Sequence, residues 1–519
     1  GDATFQLGGP NYTLTAADFP LHRLANVNDR QSTVLSDSND VISSAGIFNH
    51  TFRGIVAGSA ADECVVTEDP VFNVGRVNTR RVEPRNAPTV INAVYNFRNF
   101  WDGRANNDFN GVNPFGPRDP EAAVWKTENG ALQPIRVAIP LSSLASQAVG
   151  PPNSRFEMSC DQRTFPDIGR KLLAADLVPL AKQLVAPNDG VLGPMARSRL
   201  DPAQRGLQTS YPALVRQAFS PAYWSSPDAI TLGEARYSQM EANFSLFFGL
   251  AVQLYEATLI ANDTPFDQFM DGNTSALTAQ QQRGMTIFAG QGRCALCHGS
   301  AELSNAAVSN VSSQRLERMA IGNGELATYD NGFYNIGVRP SAEDLGVGGS
   351  DPFGNPLSET GFCRQQLQRG LPCPAELANL GARPDEGLGQ ALLGPTGRIA
   401  VHGNFKTAQL RNIELTAPYF HNGGAATLRQ VVQFYNRGGD FADQNRDDLD
   451  PDIGPIGLSE AQIDDLVAFL TSLTDERVRF DRAPFDHPEL FVPNGHPGDE
   501  FSVTDDGTGE AVDEVLHVP

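Results

Sequence analysis

The stretch "GQGRCALCHGS" at residues 290–300 contains the one Cys-x-x-Cys-His of this chain. This spacing is typical of covalent c-type haem attachment, in which two thiols bind the porphyrin and the imidazole binds the iron. Cys294, Cys297 and His298 are therefore the candidate haem residues. A domain that only carries such a haem needs roughly 100 residues, and this chain has 519. Most of the sequence must serve a further purpose.

The chain is acidic, with a net charge of −22 at pH 7. Because nucleic-acid phosphates would be repelled, we expect no nucleic-acid partner. The same charge favours a basic electron-donor protein, although solubility alone is an equal explanation. No apolar run approaches the ~20 residues of a membrane helix, so we expect no membrane span. The opening "GDATFQLGGP" lacks a basic and apolar signal segment. Since haem attachment through this motif normally follows export, we expect a mature periplasmic or extracellular chain whose signal has been removed.

Four of the six cysteines lie outside the haem motif, namely Cys64, Cys160, Cys363 and Cys373. In an exported protein they suggest two disulfides. Three connectivities are possible from sequence. Cys363 and Cys373 bracket a short loop, which favours their pairing and leaves Cys64 for Cys160.

Helical patterns flank the haem motif. Thr278 with Gln281, and Ser459 with Gln462, form capping-box patterns, and apolar residues recur at helical spacing through residues 463–473. We therefore expect a mostly α fold with two cytochrome c-like domains, long loops and insertions. The expected divisions are an N-terminal arm at 1–30, a peroxidase-type domain at 31–275, a cytochrome c domain at 276–480 that contains a Gly-rich insertion at 301–400, and an extended tail at 481–519.

The second axial ligand of the haem iron has two candidates. Met319 is the one methionine downstream of the motif, and a methionine ligand raises the haem potential. Tyr435 would be an anionic ligand that stabilises ferric iron and lowers the potential. Residue type alone favours packing roles for both.

Several long stretches carry a family resemblance. "RNAPTVINAVYNFRNFWDGRA" (85–105) and "FKTAQLRNIELTAPYFHNGGAATLRQVVQFYNRGG" (405–439) closely resemble the bacterial di-haem cytochrome c peroxidase and MauG superfamily. The resemblance extends over roughly residues 30–490. It implies two facing haem domains, in which the C-terminal haem relays electrons and the N-terminal haem meets peroxide.

The resemblance also implies roles for single residues. Trp101 occupies the position of the tryptophan between the two haems. Tyr435 stands where peroxidases of the family have methionine and MauG has tyrosine, which implies MauG-like ligation. Asn86, Thr416 and Pro418 match the family's interdomain calcium motif, and oxygen ligands suit that hard cation. Their alternative role is that of ordinary turn residues.

The reactive pocket of the family contains a glutamine, a proline and a glutamate. "SQAVGPPNSRFEMS" at residues 146–159 supplies Gln147, Pro151 and Glu157 in that order. A glutamate above haem iron can take a proton from peroxide and return it to the departing oxygen, so Glu157 is the candidate acid–base residue.

The sequence departs from the family at the N-terminal haem motif. Residues 46–50 read "GIFNH", so Gly46 and Asn49 occupy the two cysteine positions and His50 keeps that of the histidine. Three interpretations are open. A second haem is bound without thioether bonds through His50, the site is empty, or a different metal occupies the cleft.

The function expected from these features is an exported c-type haem oxidoreductase. It would reduce hydrogen peroxide, or use peroxide to oxidise a partner or substrate, with Glu157, Gln147 and Trp101 as catalytic residues. The alternative is a single-haem electron-transfer cytochrome whose N-terminal domain is not catalytic.

Overall fold

The computed structural model describes residues 5–59, 61–374, 377, 380–382 and 393–519. The first four residues of the predicted N-terminal arm lie outside these ranges. So do several parts of the predicted 301–400 insertion.

The expectation of a mostly α fold is wrong. The structure is 25% helix and 17% strand, which makes it a mixed α/β protein. The reason lies in the 49 glycines and 36 prolines, which break helices and favour turns. Among the described residues the longest helix has 13 residues, and the loops between helices fold into short hairpins.

The described α-helices are short and concentrated in the middle and at the end of the chain. They are α1 Ser143–Ala148, α2 Phe165–Leu172, α3 Tyr211–Ala218, α4 Gln239–Ala242, α5 Phe244–Glu256, α6 Pro265–Met270, α7 Ala279–Ala289, α8 Val308–Val311, α9 Glu359–Gln368, α10 Leu428–Arg437, α11 Glu460–Thr471 and α12 Glu476–Arg479.

The described strands form two-stranded sheets apart from one three-stranded sheet, β12–β11–β14, in which β11 and β14 are parallel. The strands are β1 Arg23–Leu24, β2 Val34–Ser36, β3 His50–Gly54, β4 Glu63–Val66, β5 Asn73–Val74, β6 Val77–Asn78, β7 Val124–Glu128, β8 Ala131–Ile135, β9 Ile230–Leu232, β10 Ala235–Tyr237, β11 Leu316–Ala320, β12 Leu326–Asp330, β13 Phe333–Tyr334, β14 Leu380–Ala382, β15 Phe405–Lys406, β16 Leu490–Pro493, β17 Gly498–Asp499, β18 Ser502–Val503 and β19 Val515–Val518.

Both predicted capping boxes are confirmed, at the starts of α7 and α11. These helices pack closely because Gly284 has no side chain. A Cβ there would lie 2.0 Å from the carbonyl oxygen of Asp465. Arg283 adds an ion pair with Asp465 at 2.7 Å. The Cys-x-x-Cys-His motif follows α7, so the packing of α7 against α11 fixes its position.

Buried apolar residues form two large clusters. One lies within residues 287–473 and includes residues of α7, α10 and α11. The other lies within residues 109–247 and includes residues of α1, α2 and α5. Separate clusters suit a two-domain chain. The domain boundaries given above remain predictions.

Both predicted disulfides are confirmed, Cys64–Cys160 and Cys363–Cys373. The first joins β4 to a loop 96 residues further along the chain. The second closes the short loop that follows α9.

Residues 490–518 return to the N-terminal half. β16 pairs with β19, and the backbone N–H of Ala511 donates to the carbonyl of Asn78 at 2.8 Å. Arg80 forms an ion pair with Asp513 at 2.6 Å. In the part of the chain that the structure describes, no helix combines the length and the apolar character needed to cross a bilayer.

Candidate functional site

A cavity of about 240 Å³ lies between the C-terminal helices and the loops that contain residues 86–101 and 405–421. Cys294, Cys297 and His298 lie in its wall, and Tyr435 lines it as well. The predicted insertion supplies a further part of the wall through Tyr334, Ile336 and Val338. Most of the lining side chains are apolar, which would keep water from a bound group.

The attachment motif folds as a tight turn directly after α7. Cys294–Leu296 form a 3₁₀ turn, and the N–H of His298 donates to the carbonyl of Cys294 at 2.9 Å. Neither Cys294 nor Cys297 is joined in a disulfide. The Nδ1–H of His298 donates to the carbonyl of Leu303 at 3.1 Å, which leaves the lone pair on Nε2. This is the tautomer that an imidazole needs to bind iron.

Tyr435 lies on α10, whose start is fixed by a capping box between Thr427 and Gln430. Burial raises the pKa of its phenol far above the usual value, and the nearby thiols of Cys297 and Cys294 raise it further. Such a phenol loses its proton only beside a strong positive charge, such as ferric iron. In the described part of the chain its hydroxyl makes no hydrogen bond.

Met319 lies elsewhere. It is buried on β11, where its sulfur accepts a hydrogen bond from the hydroxyl of Tyr329 at 3.2 Å. It is not among the residues that line the cavity. Two thiols, an imidazole whose Nδ1–H is bonded to Leu303 and a buried phenol surround one apolar cavity, and these residues fit a haem c that they would hold.

Trp101 lines the same cavity from the N-terminal half of the chain. Its indole N–H donates to the carbonyl of Asn86 at 2.7 Å. Its ring centroid lies 6.4 Å from that of His421, which stacks on Phe405 at 3.6 Å. Burial lowers the pKa of His421 to about 3, so this imidazole is neutral at physiological pH.

The three predicted calcium residues also line the cavity. The side-chain amide of Asn86 lies 2.6 Å from the carbonyl oxygen of Pro418, and its backbone N–H donates to His421 at 2.8 Å. The Thr416 hydroxyl donates to the carbonyl of Ile413 at 3.2 Å. The two loops of the motif are thus in direct contact.

His50 lies outside this cavity. It begins β3, and its imidazole contacts the carboxylate of Glu510 from the C-terminal tail. The adjacent Phe48 is buried, with its ring centroid 5.6 Å from that of His496. His496 is itself fully engaged, since it donates to the carbonyl of Val512 and accepts the N–H of Arg80. Tail residues cover the histidine that the sequence assigned to a haem.

On the other side of His50, the backbone of residues 156–161 lies close to residues 46–50. The N–H of Ile47 donates to the carbonyl of Phe156 at 3.2 Å, and the N–H of Asp161 donates to His50 at 2.8 Å. A Cβ at Gly46 would lie 1.7 Å from the carbonyl oxygen of Phe156. Backbone hydrogen bonds therefore join the two segments on this side of His50, while its imidazole contacts Glu510. Among the described residues there is also no group of three His, Cys, Asp or Glu side chains that could hold a metal ion.

Gly46→Ala is expected to lower the free energy of unfolding by about 3 kcal/mol, because the added methyl group overlaps the Phe156 carbonyl. Asn49→Ala is the matched control. It removes one hydrogen bond to Glu68 and should cost about 1 kcal/mol or less. Urea unfolding of the three proteins measures both values. Equal stability of Gly46→Ala and the parent chain would show that the segment around Phe156 does not rest tightly on Gly46.

Glu157 faces another carboxylate, Glu83. Burial, the charge of Glu157 and a hydrogen bond between the two side chains together raise the pKa of Glu83 to about 8. The pair therefore holds a proton at neutral pH, which is a requirement for acid–base chemistry. Gln147 lies on α1, and its buried Oε1 has no hydrogen-bond partner among the described residues. Neither Glu157 nor Gln147 lines the cavity that contains the attachment motif.

Three residues of these sites were missed in the sequence. Glu83 and Glu510 are ordinary acidic residues in any local pattern, and only tertiary contact gives them significance. Lys406 stands inside the stretch that resembles the family, and its buried position in the cavity wall follows from the fold. β13 and β15 have two residues each, so no alternation of polar and apolar residues could have predicted that Lys406 is buried.

Comparison with known proteins supports the resemblance. Residues 61–275 match the family described as di-haem cytochrome c peroxidase. Cytochrome-c peroxidase IdrP1 of Denitromonas iodatirespirans is 33% identical over 226 residues, which is 43% of this chain and 48% of the relative. Methylamine utilization protein MauG of Methylorubrum extorquens is 24% identical over 44% of this chain and 43% of its own length.

A longer match extends into the C-terminal half. Cytochrome c peroxidase Ccp of Escherichia coli is 24% identical over 410 residues, covering 78% of this chain and 52% of the relative. The chain spans about half the length of the curated relatives it matches. Over these stretches the chain is similar to di-haem cytochrome c peroxidases and to MauG.

Proposed function

We propose that this chain is a haem oxidoreductase of the cytochrome c peroxidase and MauG type that works with a single haem c. The observation that carries the proposal is the apolar cavity in which Cys294, Cys297, His298 and Tyr435 meet. The bound haem would supply one-electron transfer. Hydrogen peroxide is the oxidant, and an electron-donor protein or an oxidisable substrate is the reductant.

The chain's own residues set the character of this centre. Leu303 holds the imidazole of His298 in the tautomer that can bind iron. A phenolate from Tyr435 favours the ferric state and lowers the potential. Trp101 is fixed by its bond to Asn86 and places an aromatic ring in the wall on the N-terminal side. This arrangement suits the storage of oxidising equivalents better than rapid electron relay.

A second candidate function is a single-haem electron-transfer cytochrome with a non-catalytic N-terminal domain. It is favoured by the contacts of His50 with Glu510 and of Gly46 with Phe156, which engage the segment where the resemblance places the family's first motif. The two functions differ in whether peroxide oxidises the haem.

Calcium and an exported location are part of the proposal. The Asn86 amide lies against the Pro418 carbonyl, and turning that amide by 180° would present its oxygen beside carbonyl oxygens, which suits Ca²⁺. Covalent haem and two disulfides are typical of chains that mature outside the cytoplasm.

The test measures the number of haems per chain and the number of reduced chains that each peroxide oxidises. We expect one haem per chain by pyridine haemochrome, all of it resistant to acid–acetone extraction. Because peroxide takes up two electrons to form water, each peroxide should oxidise two chemically reduced chains. Two haems per chain would refute the single-haem proposal. One haem that peroxide fails to oxidise would leave the electron-transfer cytochrome as the function.

A further inference from the structure

Lys406 is a buried cation in the wall of the haem cavity. It lies on β15, and its backbone N–H donates to the carbonyl of Trp101 at 2.8 Å. The residue is 6% exposed and lines the cavity together with the attachment motif. The backbone position of Lys406 is fixed because β15 pairs with β13 and Lys406 is hydrogen-bonded to Trp101.

Its ammonium group has no anionic partner within the described residues. Neighbouring cations are all paired. Arg85 binds Asp102 and Asp344, and Arg98 binds Asp330 at 2.6 Å. Burial lowers the pKa of Lys406 to about 8, and no carboxylate offsets that effect. An unpaired buried charge costs several kcal/mol, so a partner is expected from outside the chain.

We propose that Lys406 pairs with a carboxylate of the haem held at Cys294 and Cys297. This inference rests on the haem site proposed above. A haem carries two carboxylates on one edge of an otherwise apolar ring, and among the described residues of the cavity wall Lys406 is a buried cation without an anionic partner. The ion pair would set which edge of the ring faces β15 and would hold the haem carboxylate ionised.

Lys406→Met and Lys406→Arg test the pairing in the haem-loaded protein. Methionine keeps the length of the side chain and removes its charge, whereas arginine keeps the charge. Since Cys294 and Cys297 are intact, all variants should retain covalent haem. In Lys406→Met we expect the reduction potential to fall, because a nearby positive charge favours the reduced iron. The potential should also become pH dependent near neutrality, because the unpaired carboxylate takes up a proton there.

Lys406→Arg should restore the pH-independent potential of the parent chain. Lys182→Met, which removes an exposed lysine, is the control for net charge. The resonance Raman bending band of the haem carboxylates should shift in Lys406→Met and in neither of the other two variants. Should the methionine variant fail to accumulate, Lys406→Gln is measured in its place.

Three results would overturn the inference. The first is a parental pH profile and Raman band in Lys406→Met. The second is a changed axial-ligand spectrum in that variant, which would make the amine an iron ligand. The third is a spectrum that added formate perturbs in the parent chain and not in Lys406→Met, which would assign the lysine to a free carboxylate. A parent chain without covalent haem would instead refute the proposed function.

Discussion

Replacing Cys294 and Cys297 together with alanine is expected to abolish covalent haem attachment. These two thiols line the cavity outside any disulfide and are the proposed anchoring groups, whereas the other four cysteines are joined in disulfides. Intact mass measures the loss of haem, and acid–acetone extraction separates covalent from dissociable haem. Cys297→Ala alone should weaken attachment to an intermediate degree.

The matched control removes a different cysteine pair. Cys363→Ala with Cys373→Ala eliminates the second disulfide and should leave the haem fully attached. Haem that resists extraction in the Cys294/Cys297 double variant would show that the motif is not its anchor.

Loss of the haem should also destabilise the chain. An apolar cavity of about 240 Å³ would remain without its occupant. At roughly 24 cal/mol per Å³ the cost is on the order of 6 kcal/mol, comparable with the whole stability of a typical domain. The double variant should therefore melt far below the parent chain or accumulate poorly.

Replacing Tyr435 is expected to produce the largest change in the haem itself. Tyr435→Phe removes the anionic ligand and should convert the spectrum to that of an iron with an open coordination position. Tyr435→Met should raise the reduction potential by a substantial part of the roughly 0.8 V that axial ligands control. Absorption spectra and a redox titration measure both effects.

Tyr419→Phe is the control, because Tyr419 also lines the cavity but donates its hydroxyl to the carbonyl of Ile413. Its spectrum and potential should remain those of the parent chain. An unchanged spectrum in Tyr435→Phe would remove Tyr435 as the ligand.

Local patterns predicted the parts of the fold that depend on local physics. The starts of α7 and α11 follow from side chains three residues apart, and the pairing of Cys363 with Cys373 follows from a short loop. The mostly α expectation failed because hairpins such as β7–β8 arise in stretches with no helical signal, and their number depends on how loops pack.

The residues of the candidate site also differ in whether local sequence could predict their positions. The motif at 294–298 is local, so its geometry could be anticipated, and Trp101 and Tyr435 were placed by resemblance to the family. His50 shows the opposite case. Glu510, which contacts His50, and Phe156, which contacts Gly46, are far away in the chain, and no spacing within "GIFNH" indicates either contact.

The return of the tail to the N-terminal half has a consequence for biogenesis. Arg80 and Asp513 are 433 residues apart, so the surface around Phe48 is completed only when a segment from far along the chain docks on it. Contacts of such separation form slowly and leave apolar surface open in the meantime. Until residues 490–518 dock, the front half leaves apolar surface open, and a protease that removes this segment would return it to that state.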